Sequence, residues 1–442
     1  MIKLPEQVNK AICLLKNSGF EAYAVGGAVR DCLLGKVPFD WDITTSAHPE
    51  ETEKVFCGER IIETGIKHGT VTVIIDDMPL EITTYRIDGD YTDHRHPQTV
   101  SFSDNLRDDL SRRDFTINTL CCNCDDKIID AFGGKDDLNN KIIRCVGDPD
   151  TRFSEDALRI MRAVRFSAEL GFTIEKSTSD SILKNRQLLS DVSKERLQVE
   201  FTKLITGKYA TDVIRKYHAV IEVFIPELAP LVECEQHTKY HKYDVFEHTL
   251  HAVDAIDFND RILRLTMFFH DFGKPDAKTT DENGTSHFKG HAVISEKKTR
   301  DILKRLKFDN NTINEVSKLV LIHDMKSPRD KIQAKKKMCS LGDEAYLNLI
   351  KIKRADNMAK ADPHAIDENL KNMRSFYEEI KINNECYNLK SLAVNGDDIK
   401  AFGIAEGKEI KSSLDFLLNG VIEGKCQNRK DVLLEYLKEN TK

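Results

Sequence analysis

The stretch from Gly26 to Thr45, GGAVRDCLLGKVPFDWDITT, carries side chains of a kind and spacing that suit phosphate chemistry. A short apolar run, Tyr23-Ala24-Val25, breaks at Gly26-Gly27, an amphipathic segment runs from Ala28 to Leu34, and Gly35 ends it. That order predicts strand, tight glycine turn and helix. Two glycines at a helix start let the backbone approach a phosphate, whose charge suits the exposed N–H groups and the helix dipole. Arg30 could add a bidentate contact to the same phosphate. Asp40 and Asp42 then lie two apart in a predicted strand running into Ile43-Thr44-Thr45, so both carboxylates point to one face. Paired carboxylates beside a phosphate cradle suit divalent magnesium. Glu81, early in a strand spanning Leu80 to Tyr85, is either a third metal carboxylate or a solvated strand end.

Two further stretches extend this chemistry. In Leu110 to Leu120, LSRRDFTINTL, Ser111 reads as a helix cap with Arg112, Arg113 and Asp114 in the first turn. Basic residues there oppose the helix dipole, a conflict that a bound polyphosphate would resolve. In Asp148 to Phe172, Ser154 reads as the cap, Glu155 and Asp156 as the first turn, and Gly171 as the stop. Ala157, Met161, Val164 and Ala168 form an apolar face, while Arg159, Arg162 and Arg165 make a stripe behind Asp156. An ionised Asp only accepts hydrogen bonds and an Arg only donates them. Cytosine and adenine both present an amino donor beside a ring-nitrogen acceptor, so one Asp–Arg pair matches both. Uracil and guanine present the reverse order and would meet like with like.

From His237 onward histidines accumulate. His248, His270-Asp271, His291 and His323, with Asp356 or its rival Asp324, fall at ends or faces of predicted helices, where they could converge in a bundle. Imidazoles with carboxylates suit a transition-metal or magnesium hydrolytic centre.

The block around Asp40 and Asp42 resembles the signature of polymerase-beta-type nucleotidyltransferases, specifically the class II tRNA nucleotidyltransferase and poly(A) polymerase family. The string SRRD resembles that family's second signature, which implies that Arg112 or Arg113 binds triphosphate and Asp114 helps hold ribose. The string EDALR matches its EDxxR motif, which implies that Asp156 and Arg159 read the base, with Arg162 and Arg165 as further nucleotide or phosphate contacts. The His270-Asp271 dipeptide followed by Phe-Gly-Lys-Pro resembles the HD phosphohydrolase superfamily, and the KRADN context of Asp356 looks like that superfamily's terminal aspartate helix. Taken over nearly the whole chain, the resemblance is to bacterial class II CCA-adding tRNA nucleotidyltransferases with an HD domain. It implies transfer of CMP, CMP and AMP from CTP and ATP to tRNA. Asp40 and Asp42 would hold magnesium, and a second divalent metal (nickel, manganese or magnesium) would sit at the HD centre. The polar stretch Asp88 to Pro97 corresponds to a loop that the family uses in adding the final adenosine. CC-adding and A-adding relatives, or a protein whose main activity is HD phosphohydrolysis, remain alternatives.

The elements that must position these residues follow from pattern. Residues 4 to 19 read as an amphipathic helix, and 69 to 75 and 80 to 85 as strands around a turn at Asp76 to Pro79. The expected architecture is α+β. A mixed-sheet head over 1–145 precedes a helical neck and body over 146–235, an HD region over 236–360 and a helical, tRNA-binding tail over 361–442. Ser193 to Leu204 reads as a helix supporting the template helix, and the basic KIQAKKK run, 331–337, as a solvated face or an RNA contact. Cys121, Cys122 and Cys124 sit in an alternating segment without zinc-finger spacing, so a core strand is expected rather than a metal site. With 40% hydrophobic and 31% charged residues and a net charge of −7, the composition is that of a soluble protein and excludes a uniformly basic nucleic-acid binder. No membrane-length apolar run or signal-peptide layout is present, so a cytoplasmic location is expected. Candidate partners are tRNA, the two nucleotides and a second copy of the chain.

Overall fold

The computed structural model describes residues 2–63, 65–66, 69–89, 99–237, 242–360, 367–404 and 407–440. The loop expected at Asp88 to Pro97 lies outside these from Asp90 onward. Contacts divide the chain into two compact units, Met1–Ala229 and Pro230–Lys442.

The first unit begins with α1 (Glu6–Asn17), which buries Val8, Ala11, Ile12 and Leu15. The sheet then assembles from β1 (Ala22–Val25), β2 (Asp42–Thr45), β3 (Arg60–Ile62), β4 (Thr70–Ile75), β5 (Met78–Thr84), β8 (Cys121–Cys122) and β9 (Ile128–Ile129), in the order β3-β4-β5-β2-β1-β8-β9. A separate pair is formed by β6 (Arg86–Asp88) and β7 (Val100–Phe102). Only β2 and β5 are parallel, so the sheet is mixed, as expected. Short helices α2 (Gly27–Leu33), α3 (Pro49–Val55), α4 (Leu106–Ser111) and α5 (Gly134–Asn139) connect the strands. Ala24, Val25, Ile43, Val71, Val73 and Ile82 form the interior of the sheet, and Cys121 and Cys122 are buried among them as core residues.

Two expectations about the sheet need correction. The β4–β5 turn is two residues rather than four. Asp76 and Asp77 take positive φ of 46° and 63°, as a two-residue hairpin turn requires, and Met78 and Pro79 already belong to the strand. Pro79 is tolerated because β2 pairs with β5 only from Glu81 onward, so its missing N–H faces no partner there. Asp40 lies outside β2, which starts at Asp42.

Beyond residue 145 the unit is helical: α6 (Pro149–Glu155), α7 (Leu158–Leu170), α8 (Lys176–Asn185), α9 (Lys194–Ile205) and α10 (Ala210–Ile221). A small parallel pair, β10 (Ile142–Ile143) with β11 (Thr173–Ile174), is the departure from an all-helical region. The expected single template helix is two helices. Asp148 caps α6 by accepting from Thr151 N, and Pro149 occupies its first turn, so the helix begins earlier than Ser154. The chain then extends at Asp156 (φ −132°, ψ 101°) before α7 begins, and Gly171 ends α7 in a left-handed conformation (φ 69°).

The second unit comprises α11 (Val245–Asp254), α12 (Arg261–Phe269), α13 (Lys274–Ala277), α14 (His291–Arg305), α15 (Asn310–Ile322), α16 (Lys331–Leu341), α17 (Asp343–Met358), α18 (Asp367–Ile382), α19 (Gly396–Ala401), α20 (Lys408–Ile422) and α21 (Lys430–Asn440). A short hairpin, β12 (Thr279–Thr280) with β13 (Ser286–His287), interrupts the helices. Asn395 and Asp398 cap α19 reciprocally, and residues 386–437 share a core of Leu, Ile and Val side chains.

One glycine holds the floor of the head together. A Cβ at Gly134 would lie 2.2 Å from the Thr116 carbonyl oxygen, and Thr116 belongs to the short turn that carries Asn118. Gly134→Ala therefore forces backbone apart and is expected to destabilise the protein by about 1–3 kcal/mol, read as a lower midpoint in urea unfolding.

Candidate active site and a second metal-type centre

Strand register brings the head residues together. Val25 pairs with Asp42 on one side and Cys121 on the other, so the turn at Gly26 abuts the start of β2. Gly26 has φ +82°, and a Cβ there would sit 3.3 Å from Arg113 Nη1 and 3.7 Å from Asp42 Oδ2. The left-handed φ is what calls for glycine here. Asp42 and Glu81 are direct partners across the parallel β2–β5 pair, so their carboxylates emerge side by side. Although the residue is exposed at the strand start, loss of hydration around its carboxyl outweighs the opposing Arg113 and, with smaller contributions from Glu81 and Asp40, pushes Asp42 up to about 6. A set of hard oxygen donors at the end of the sheet fits a magnesium ion. The three carboxylates are not drawn to within 4.8 Å of one another.

Facing them, Gly26, Gly27, Arg30, Asp40, Asp42, Arg112, Arg113, Asp114, Asp156, Arg159, Arg162 and Arg165 line one cavity of about 430 Å³, together with Asn118 and Phe166. Arg112 and Arg113 follow the C-terminus of α4, so the expected conflict with a helix dipole is absent: cations suit that end. Both are held by Asp109, at 2.6 Å and 3.3 Å, and Thr44 of β2 donates to the same carboxylate at 2.9 Å. Burial would raise the Asp109 carboxyl, but the two guanidinium groups hold it below the usual range. Asp114 accepts from Arg162 at 2.7 Å, Asn118 at 2.9 Å and the Phe115 N–H at 2.8 Å. Against the effect of burial, Arg162 and Asn118 bring its carboxyl down to about 2.

The template residues are arranged differently from a simple stripe. Asp156 stands in the break between α6 and α7, where it caps Leu158 N and is gripped by Arg196 of α9 at 3.0 Å. Arg159 is tied to Glu155 at 2.6 Å and donates to the Arg112 carbonyl at 2.7 Å. Arg165 lies between Glu169 and Glu200, its guanidinium 3.8 Å from the Phe166 ring centroid, with Arg30 at 4.8 Å from the same ring. Sequence reasoning missed Asp109, Asn118, Glu155 and the grip of Arg196. Asp109 had a readable signal, an acid three and four residues before two arginines. Arg196 had none, since its partner is 40 residues away.

In the second unit, His248 (α11), His270 and Asp271 (after α12), His291 (start of α14) and His323 (end of α15) converge, with Asp356 of α17 at 3.0 Å from His248 Nε2. Asp324 is exposed. Nδ1 of each histidine meets a backbone carbonyl: Ala359, Met267, Phe288 and Val320 respectively. A carbonyl only accepts, so each Nδ1 donates its proton and each ring turns its Nε2 inward. Burial, reinforced by His270, lowers His323 to about 3, so that ring is neutral at physiological pH. Asp271 aims Oδ2 at His270 (3.1 Å) and His248 (3.6 Å), and Oδ1 at His291 (3.4 Å) and His323 (3.7 Å). His270 Nε2 has no well-aligned hydrogen bond, and the Nε2 atoms of His291 and His323 approach to 3.0 Å. Lone pairs facing one another across a buried space fit a cation. Lys274, 2.7 Å from Asp271, was not anticipated as part of this cluster.

Among the described residues, no helix is long and apolar enough to cross a membrane. Residues 22–144 match the family described as Poly A polymerase head domain, and 171–231 the one described as probable RNA and SrmB-binding site of polymerase A. Residues 279–437 match the putative tRNA nucleotidyltransferase domain 2. The chain is 32% identical to the CCA-adding enzyme of Lactobacillus helveticus (strain DPC 4571) over 443 residues, covering 99% of this chain and 98% of that one. It is 33% identical to that of Bacillus subtilis (strain 168) over 426 residues, 96% of each. The crystal structure of the Bacillus stearothermophilus CCA-adding enzyme in complex with CTP shares its fold with a TM-score of 0.71 at 30% identity, covering 98% of this chain and 96% of that one. Similarity at this level across both whole chains, on a head built around Asp40, Asp42 and the EDxxR segment, makes the chain a nucleotidyltransferase and a member of the bacterial class II CCA-adding tRNA nucleotidyltransferases of the polymerase-beta superfamily.

Proposed function

We propose that the protein builds and repairs the 3′-terminal CCA of tRNA, adding CMP, CMP and AMP from CTP and ATP and releasing pyrophosphate. The observation that carries this reading is the single cavity lined by the glycine turn, the Asp40–Asp42 carboxylates, the arginine cluster and the Asp156–Arg159 pair. Gly26 and Gly27 let the triphosphate approach the backbone, while Arg30, Arg112 and Arg113 neutralise it. Asp40 and Asp42, with Glu81 alongside, would hold magnesium, which supplies Lewis-acid charge at the attacking 3′-hydroxyl and the departing pyrophosphate. Asp114 is placed to meet the ribose. Asp156 accepts from the exocyclic amine and Arg159 donates to the ring nitrogen, which admits C and A and leaves U and G with unmatched polar groups.

The converging imidazoles support a second activity in the same chain. His248, His270, Asp271, His291, His323 and Asp356 would hold a divalent metal for phosphomonoester or phosphodiester hydrolysis of the HD type. Against the effect of burial, His270, with Lys274 adding to it, holds the Asp271 carboxylate well below its usual range.

Four outcomes are expected. With tRNA transcripts ending before CCA, after one C and after two, CTP fills the first two positions and ATP only the last. Asp42→Asn lowers that incorporation at least about a hundredfold, because a metal contact is worth several kcal/mol in the transition state. Extension of no transcript by the wild-type protein overturns the reading. Arg196→Ala releases the Asp156 carboxylate, so the kcat/KM ratio of CTP over UTP falls about tenfold, equivalent to ~1.4 kcal/mol, and Arg196→Lys restores part of it. Finally, elemental analysis of His270→Ala finds less bound transition metal than in wild type, and hydrolysis of bis(p-nitrophenyl) phosphate is lost, while CMP incorporation is retained.

A further inference from the structure

The segment Lys36-Val37-Pro38-Phe39 joins the glycine stop of α2 to Asp40. Phe39 is 103% exposed and Val37 96%, the two most exposed large hydrophobic side chains among the described residues. A phenyl ring held wholly in water gains nothing from the packing of its own chain. Pro38 fixes its own φ and restricts the residue before it, so the ring is presented on a stiffened support.

Its position supplies the occupant. Asp40, the next residue, lines the nucleotide cavity, whose other walls are mainly guanidinium and carboxylate groups. The aromatic ring in that lining, Phe166, is already overlain by Arg30, Arg162 and Arg165. On the polymerase reading above, on which this step rests, an acceptor strand must bring its 3′-oxygen to Asp40 and Asp42 while the incoming nucleotide fills the cavity. The terminal base of that strand is left outside, within one residue's span of Asp40, with no apolar surface inside to receive it. It must also change identity as synthesis proceeds, from the original terminal base to C and again to C. Stacking on an aromatic face tolerates such changes because every base has a π-face, whereas a hydrogen-bonded site would not.

We propose that Phe39, flanked by Val37, is the stacking platform for the 3′-terminal base of the acceptor RNA. The residue positions the primer and leaves nucleotide choice to Asp156 and Arg159.

The test uses the full chain and a tRNA transcript lacking CCA that carries 2-aminopurine as its terminal base. Wild type quenches the 2-aminopurine emission on binding; Phe39→Ala and Phe39→Leu do not, and Phe39→Trp does. In steady-state CMP transfer, the Ala and Leu variants raise the KM for RNA about tenfold, while the KM for CTP stays within twofold of wild type. The Leu variant separates stacking from mere apolar contact, and because the side chain touches nothing in the fold, far-UV circular dichroism should be unchanged. Phe39→Ala with wild-type quenching and wild-type KM for RNA overturns the proposal, as does Phe39→Leu behaving like wild type. A wild-type enzyme that binds the transcript with quenching yet never extends it points instead to failure of the polymerase reading.

Discussion

Six guanidinium groups share the lining of one cavity of about 430 Å³, and their mutual repulsion is the constraint on which the rest of the first unit depends. Each is anchored by an acid or a ring set on a different element. Asp109 at the end of α4 holds Arg112 and Arg113, and Asp114 holds Arg162. Glu155 holds Arg159, Glu200 and Glu169 hold Arg165, and Asn118 with the Phe166 ring holds Arg30. Removing one member of such a buried pair typically costs about 3–5 kcal/mol, because the survivor is left buried and unmatched. The folding of the head and the geometry of the cavity are therefore the same problem. The anchors fix where the cations point, towards the space a polyphosphate would fill.

The sheet serves that arrangement through its one parallel pairing. Placing β2 beside β5 in parallel sets Asp42 against Glu81, and the antiparallel pairing of β1 sets Gly26 against Asp42. Acids are thereby set side by side at the end of the sheet, and loss of hydration, with a smaller contribution from the neighbouring acids, raises Asp42 to about 6. The site holds them on rigid strands, facing arginines mounted on helices.

The second unit solves a different problem with different groups. Its cluster contains imidazole rings, each oriented by a backbone carbonyl on Nδ1, and one aspartate whose two oxygens face two histidine pairs. Helix ends supply most of the donors, and nearby backbone carbonyls orient the rings. In the head, charge is balanced by counter-charge. In the second unit, imidazole nitrogens are gathered around a carboxylate that Lys274 balances only in part.

Local sequence determined a good deal. The glycine turn, the strand that follows it, the stop at Gly171, the core role of Cys121 and Cys122 and the mixed sheet were legible because each depends on residue type and short-range spacing. The residues that line the cavity around Asp40, Asp42, Asp156 and Arg159, and the histidine series, could be picked out for the same reason. Where reading failed locally, a stronger nearby signal had competed: Asp148-Pro149 overrode Ser154 as a helix start, and α4 claimed Ser111 as its last residue. What no window of sequence contains is pairing over distance. That Arg196 grips Asp156, that Glu200 pairs with Arg165, that Asp356 rather than Asp324 meets His248, and that Glu81 lies beside Asp42 were decided only by the tertiary structure. The physical reason is that a buried charge or lone pair takes whichever partner the packed elements bring within about 3 Å, and that choice is made by helix crossing and strand register, not by neighbours along the chain.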